Sequence, residues 1–320
     1  MLAMGYPMRI SVSLTVLGFF TGSAAFAQGL EWAYQSVTEE IPAAHHYDPD
    51  VPRTVPGSSL SRTQPEIDDH WNPPDWFPDR HGPVPEVVAH GRGPEVRGCA
   101  ACHGFTGMGH PESSQLAGYS ANYIINQMAD FKNGSRKDRY WMNGIAAAIS
   151  DEDVRAAAEY FSALEPIDWV VDVIEADIVP RTYIGDGRMR FVHPDGGTEP
   201  LGYKAIELPE DRELATARHP HSGFIAYVPE GSIARGQELV TTGGSGKTVP
   251  CMACHGVDLK GIGDIPTIAG SSPVYAIRQL NDFKNGDRAG NMAALMRPTV
   301  ANLTTEDMVD IVAYLATLDP

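Results

Sequence analysis

The chain has 320 residues, 24 basic and 41 acidic side chains, a formal charge of −17 and only four cysteines. At 42% hydrophobic and 20% charged residues it is too apolar for a disordered chain and too mixed for a polytopic membrane protein. Such acidity excludes a nucleic-acid binder, because little basic charge is left to neutralise phosphates.

Residues 1–27 read as an export signal. Arg9 is the positive lead, residues 10–20 the apolar run, and Ala25-Phe26-Ala27 a small-residue cleavage site. An uncleaved anchor is the competing reading, which the shortness of the run disfavours. Export places the mature chain in a bacterial periplasm. Segment 28–85 holds ten of the 25 prolines and a net charge of −7, with Trp71-Asn72-Pro73-Pro74-Asp75-Trp76-Phe77-Pro78 at its middle. It is expected to run extended over the body, anchored by aromatics.

A short helix is predicted near 85–90, ahead of Cys99-Ala100-Ala101-Cys102-His103. Helices follow near 120–133, ending at Asn133-Gly134, and near 151–164, where Ser150 is the N-cap. Residues 165–234 change to strand character over 169–179, 182–192 (turning at Gly185-Asp186-Gly187), 202–208 and 223–228, which predicts a small antiparallel sheet. A helix from Ser232 to about Thr242 leads into the second cysteine motif. The loop between them, Gly243-Gly244-Ser245-Gly246-Lys247-Thr248, resembles a phosphate loop, but Thr241 stands where that motif needs glycine and a helix precedes it. Cys251-Met252-Ala253-Cys254-His255 follows, then helices near 272–285 and 305–318, the latter capped by Thr304.

Shifted by 152 residues, 99–134 aligns with 251–286 without a gap, and seventeen of the 36 positions are identical. A two-residue insertion then restores the match through both terminal helices. The chain therefore holds two copies of one small helical module.

Every cysteine lies in a C-x-x-C-H, the attachment signal for haem c. Two thiols form thioethers to one porphyrin and the adjacent imidazole becomes an iron ligand, so Cys99, Cys102, Cys251 and Cys254 are the predicted attachment residues and His103 and His255 the proximal ligands. Zinc would draw its ligands from both half-sites, and neither a redox dithiol nor two disulfides would need the histidines. Two covalently bound haem c groups are expected.

Electron-transfer haems usually carry a second strong axial ligand. Met142 and Met296 each precede a helix cap, Ser150 or Thr304, by eight residues, which singles them out from eleven methionines. Met292 is the rival in the second module, and Met128 and Met108 in the first. His45, His46, His110, His193, His219 and His221 do not recur between the modules and are read as surface residues.

These features resemble a dihaem cytochrome c, similar to the cytochrome c4 type. The resemblance rests on both C-x-x-C-H motifs, the Ala-Gly after each, Tyr-x-x-x-Gln-x-x-Asp-Phe-Lys-Asn-Gly, and the capped terminal helices, covering about half the chain. It implies two tandem class I-like cytochrome c domains, His/Met-ligated iron and electron exchange between the haems; with the small antiparallel β insert read above between them, the fold is expected to be mainly α. The domains are then 1–27 (signal), 28–85 (Pro-rich acidic segment), 86–164 (first cytochrome domain), 165–234 (β-rich insert) and 235–320 (second cytochrome domain). Segments 28–85 and 165–234 lie outside the family pattern. The family also has a proline whose carbonyl orients the proximal imidazole; Pro266 fits that place, whereas Ser114 stands at the aligned position.

The expected function is single-electron transfer between periplasmic redox proteins, with a dehydrogenase as donor or an oxidase as acceptor and no enzymatic turnover. Any membrane contact would be peripheral, through a partner. The alternatives are the electron-accepting subunit of a dehydrogenase complex and a dihaem peroxidase, which needs an open iron position. A thiosulfate-oxidising dihaem protein typically uses a cysteine ligand, and no spare cysteine exists. The extra acidic segments either shield or dock a basic partner, or are merely solvated.

Overall fold

The computed structural model of the protein describes residues 29–36 and 41–320; the signal expected over 1–27 lies outside them. The N-terminal segment is mostly extended, interrupted by one helical turn, α1 (Gln64–Ile67), which Thr63 and Glu66 close with a capping box. Val55, Ile67, Trp76 and Phe77 form a buried cluster with Ala217. The Trp76 indole N–H donates to the Ala217 carbonyl at 2.7 Å, so its burial leaves no polar group unsatisfied.

The first module comprises α2 (Glu86–Ala89), α3 (Ala100–His103), α4 (Ala121–Asn133), α5 (Met142–Ala148) and α6 (Asp151–Ser162). Pro83 and Pro85 keep α2 to a single turn, because a prolyl ring offers no amide and biases the residue before it away from helix. The Ser120 hydroxyl caps α4 by accepting the Tyr123 N–H at 3.0 Å. Gly134 ends that helix at φ +77°, a left-handed cap that costs glycine little. Tyr123, Ile124, Gln127 and Phe131 form its buried face at helical spacing. At α6 the Ser150 hydroxyl accepts the Asp153 N–H at 3.1 Å. The Asp153 carboxylate accepts the Ser150 hydroxyl rather than its amide, and also pairs with Arg92.

The insert contains β1 (Val170–Glu175), β2 (Ile178–Pro180), β3 (Thr182–Ile184), β4 (Arg190–Val192), β5 (Thr198–Pro200), β6 (Ile206–Pro209), α7 (Arg212–Thr216) and β7 (Phe224–Val228). Three of its pairings are antiparallel: β2 with β5, β3 with β4, and β6 with β7. The fourth is not: β1 runs parallel to β7, Val173 opposite Ala226, giving a three-stranded sheet in the order β1-β7-β6. A parallel pair needs a long connection, and everything between residues 175 and 224 supplies it.

The second module comprises α8 (Ser232–Thr242), α9 (Met252–His255), α10 (Pro273–Asn285), α11 (Ala293–Val300) and α12 (Thr305–Ala316). Thr304 and Asp307 form a complete capping box at α12. Helix α8 is long where α2 is short, and it crosses α12 closely: a side chain at Gly236 would collide with the Asp310 carbonyl. Leu239, Val240, Val309, Ile311 and Val312 are buried together in this module's core, each worth about 1.5–3 kcal/mol by burial. Among the described residues, no helix is long and apolar enough to cross a membrane.

Candidate haem sites

Each cysteine motif folds into one helical turn held to the preceding helix by a backbone hydrogen bond: the Cys99 N–H donates to Val87 at 3.2 Å and the Cys251 N–H to Val240 at 2.9 Å. None of the four cysteines forms a disulfide. Burial pushes Cys99 up to about 12 and Cys251 up to about 11, so neither is a spontaneous thiolate.

His103 Nδ1 lies 2.8 Å from the Ser114 carbonyl, and His255 Nδ1 lies 2.8 Å from the Pro266 carbonyl. The departure at Ser114 therefore leaves the geometry intact, because the acceptor is a backbone oxygen that serine supplies as well as proline. Donation from Nδ1 leaves the Nε2 lone pair free for a metal. Burial lowers both imidazoles below the usual histidine range and so favours their neutral, ligating form.

A cavity of ≈ 450 Å³ in the first module is bordered by Cys99, Cys102, His103 and Met142. One of ≈ 160 Å³ in the second is bordered by Cys251, Cys254, His255 and Met296. The structure thus brings all eight predicted site residues to two cavities, four to each. Of the rivals, Met128 lines the first cavity while packing in that module's core, and Met292 lines the second from an exposed position. Met108 lines neither of these two cavities. It is buried in a cluster with Trp169 and Phe224, and its sulfur accepts the Ile167 N–H at 3.5 Å. His110, read as a surface residue, is half-buried; Ser113 Oγ and the Glu112 N–H reach its two ring nitrogens.

Asp138 sets the position of Met142. One carboxylate oxygen accepts the N–H groups of Tyr140, Trp141 and Met142 at 2.8, 2.6 and 3.1 Å and so starts α5. The Asn143 amide then ties α5 to the carbonyls of Phe131 and Arg136, each at 2.8 Å.

Between the cavities lies a symmetric group that the sequence reading missed. The backbones of Arg136 and Arg288 pair across the module boundary, with Lys137 donating to Asp287 and Ala289 to Ser135, each at 2.7 Å. Arg288 also donates to the Tyr123 hydroxyl at 2.6 Å and Arg136 to the Tyr275 hydroxyl at 3.2 Å. Both guanidinium groups are buried, and among the described residues neither has a carboxylate partner within ion-pair distance. The signal existed: the two arginines are also 152 residues apart, two positions past the end of the ungapped alignment. Nearby, Arg278 of α10 makes a buried ion pair with Glu112 at 2.8 Å and donates to the carbonyls of Ala33 and Pro111.

Paired thiols, one neutral imidazole and one thioether around a largely apolar cavity fit haem c, and their occurrence twice in one chain defines a dihaem electron-transfer protein. The chain belongs to the cytochrome c family, whose model matches residues 92–165 and 233–319. It is similar to the thiosulfate dehydrogenase electron acceptor of Thiomonas intermedia, with 27% identity over 228 residues, 70% of this chain and 79% of that one. Cytochrome c4 of Stutzerimonas stutzeri is 23% identical over 237 residues, 69% of this chain and 84% of the relative. The solved cytochrome c4 of Acidithiobacillus ferrooxidans is 25% identical at a TM-score of 0.46, covering 69% of this chain and 98% of that one. The chain is a dihaem, cytochrome c4-like electron-transfer protein that binds two haem c groups covalently.

Proposed function

We propose that this protein carries single electrons between periplasmic redox partners and performs no substrate chemistry of its own. Cys99 and Cys102, and Cys251 and Cys254, attach the two haems; His103 with Met142, and His255 with Met296, ligate the irons. Haem c supplies reversible one-electron oxidation and reduction. The observation that carries this reading is the presence at each cavity of an imidazole with its Nδ1 engaged together with a thioether, two donors that would hold the iron of a bound haem.

Several residues act around that arrangement. Ser114 and Pro266 orient the imidazoles, and Asp138 and Asn143 hold the turn that carries Met142. Arg136 places a buried positive charge beside the first cavity and Arg288 one beside the second, suited to the carboxylates of the bound groups. A dehydrogenase as donor is supported by the relative named as a thiosulfate dehydrogenase electron acceptor. A fixed subunit of such an enzyme is the second reading, and co-purification at constant stoichiometry would favour it. A peroxidase would need one axial position open.

A pyridine haemochrome spectrum combined with the near-infrared methionine-to-ferric band tests the proposal. Two haems and two methionine signatures are expected. Carbon monoxide uptake by the protein as isolated would overturn it.

A further inference from the structure

The two modules differ in how far the edge beside the cysteine attachment is covered by other segments of the chain. In the second module this edge is bare and apolar. Val249 is 48% exposed, Val257 83%, Ile262 61%, Met292 43% and Leu295 61%. Val249, Met292 and Leu295 also line the cavity, and Cys254 is itself exposed.

At equivalent positions the first module carries Arg97, Phe105 and Trp141 in place of Val249, Val257 and Leu295; each contacts a neighbouring side chain, although Trp141 stays 47% exposed. The Arg97 guanidinium lies over Trp141 at 3.7 Å and over Trp71 of the N-terminal segment at 5.4 Å. Phe105 stacks on His81 of that segment at 5.8 Å.

Both extra segments also bond the attachment motif itself. The Gly98 N–H donates to the His70 carbonyl at 2.9 Å, and Arg218 of the insert donates to the Ala101 carbonyl, between the two cysteines. The second module has Pro250 in place of Gly98, with no N–H to offer, and an exposed Ala253 in place of Ala101.

We propose that the external redox partner docks on the second module, over Val249, Val257, Ile262, Met292 and Leu295, and that the first module is an inner station served through it. This rests on the electron-transfer reading above. One electron leaves the reduced partner, which is oxidised, and reduces the haem of the second module, or the reverse; no proton or co-reactant is consumed. The electron passes on to the first module across the boundary that Arg136 and Arg288 span.

The occupant is a redox protein whose own apolar port is bordered by basic side chains. A net charge of −17 repels a second copy of this chain and attracts a cationic surface at long range. Asp258, Lys260 and Arg297, close in sequence to Val257, Ile262 and Leu295, are of mixed sign, so the charge beside these residues in sequence does not favour either sign of partner. A small patch of this kind suits the brief encounters of electron transfer.

The test uses the holoprotein and, as probe, a lysine-rimmed monohaem cytochrome c, with downhill electron transfer followed by stopped flow. The Val249→Asn/Leu295→Asn double variant, both positions being exposed, should slow the bimolecular rate about tenfold by removing apolar contact. The wild-type rate should fall with added salt. Trp71→Ser, on the first module's edge, should change it less than about twofold, as expected of a residue outside the contact. An undiminished rate in the double variant with two haems bound overturns this inference alone, as does an equal loss in Trp71→Ser. A slower rate that tracks conversion of a dimer to a monomer also overturns it, because the patch would then join two copies. A wild-type holoprotein with a single haem overturns the electron-transfer reading itself.

Discussion

Arg136 and Arg288 pair across the boundary between the modules, and each donates to both Gln127 and Gln279. The four distances are 2.7 and 2.8 Å from Arg136 and 2.8 and 3.1 Å from Arg288. A single carboxamide oxygen thus serves two guanidinium groups, and the positive charge is offset by hydrogen bonds alone within the described chain. Arg136→Ala should lower the unfolding free energy by about 3 kcal/mol, because charged hydrogen bonds are lost where the remaining groups are desolvated. Chemical denaturation of the holoprotein measures this. Arg136→Lys should recover only part of the loss, since an ammonium cannot span both carboxamides in one plane.

Met142→Ala and Met296→Ala should each remove one of the two near-infrared methionine bands and leave the other. Met292→Ala should remove neither. Asp138→Ala should weaken the first module's band only and cost about 1 kcal/mol, the usual worth of a helix-starting carboxylate. Equal weakening of both bands in Asp138→Ala would sever the link drawn between that carboxylate and Met142.

Glu207 is fully enclosed where β6 meets the start of α10. One carboxylate oxygen accepts the Ser272 hydroxyl at 2.6 Å and the Val274 N–H at 2.9 Å; the other has no partner. Burial raises this carboxyl to about 7 against those two hydrogen bonds. The folded state therefore holds a proton that the unfolded chain releases near pH 4.3, the ordinary glutamate value. The associated stability is fully present below that pH and is lost as pH rises through about 7, at a slope of up to roughly 1 kcal/mol per pH unit. Glu207→Gln should flatten this component: the wild-type minus variant difference in unfolding free energy should fall between pH 5 and 8. A difference that rises across that window would show the carboxylate to be the favoured folded form.

Gly236→Ala should destabilise the second module by about 2–3 kcal/mol, the usual range for overpacking a tight contact. The added methyl meets the Asp310 carbonyl and lies 3.0 Å from Tyr314 Cβ, both on α12. A drop in melting temperature read at the second haem, with no matching loss at the first before global unfolding, is the expected signature. A thermally neutral variant would mean that α8 can ride away from α12 without penalty.

The parts of the fold readable beforehand are those set by local chemistry. Ser150 and Thr304 cap α6 and α12 by the same bond to Asp153 and Asp307, and glycines in the left-handed region end α4 and α10. The proximal histidines were equally readable, because their place follows from the cysteines beside them. Ser114 shows the converse: its side chain breaks the family pattern, yet its carbonyl does the work, and a backbone acceptor leaves no trace in residue identity. The β1–β7 pairing was hidden for another reason, since parallel register between distant strands depends on what folds between them.

The chain's residues by themselves determined that two haem c modules are present and where the repeated helices α4 and α10, and α6 and α12, begin, because each of these depends on neighbours a few positions away or on a repeat of fixed length; the helices that carry Met142 and Met296, α5 and α11, had no such signal. Only the tertiary structure decided that, among the described residues, the first attachment motif is bonded by the two extra segments and the second is not. His70, Trp71 and His81 of the N-terminal segment lie far in sequence from Arg218 of the insert, yet both segments reach the neighbourhood of the first motif. Packing between distant segments, here Trp76 against Ala217, fixes that cover, and no local propensity encodes it.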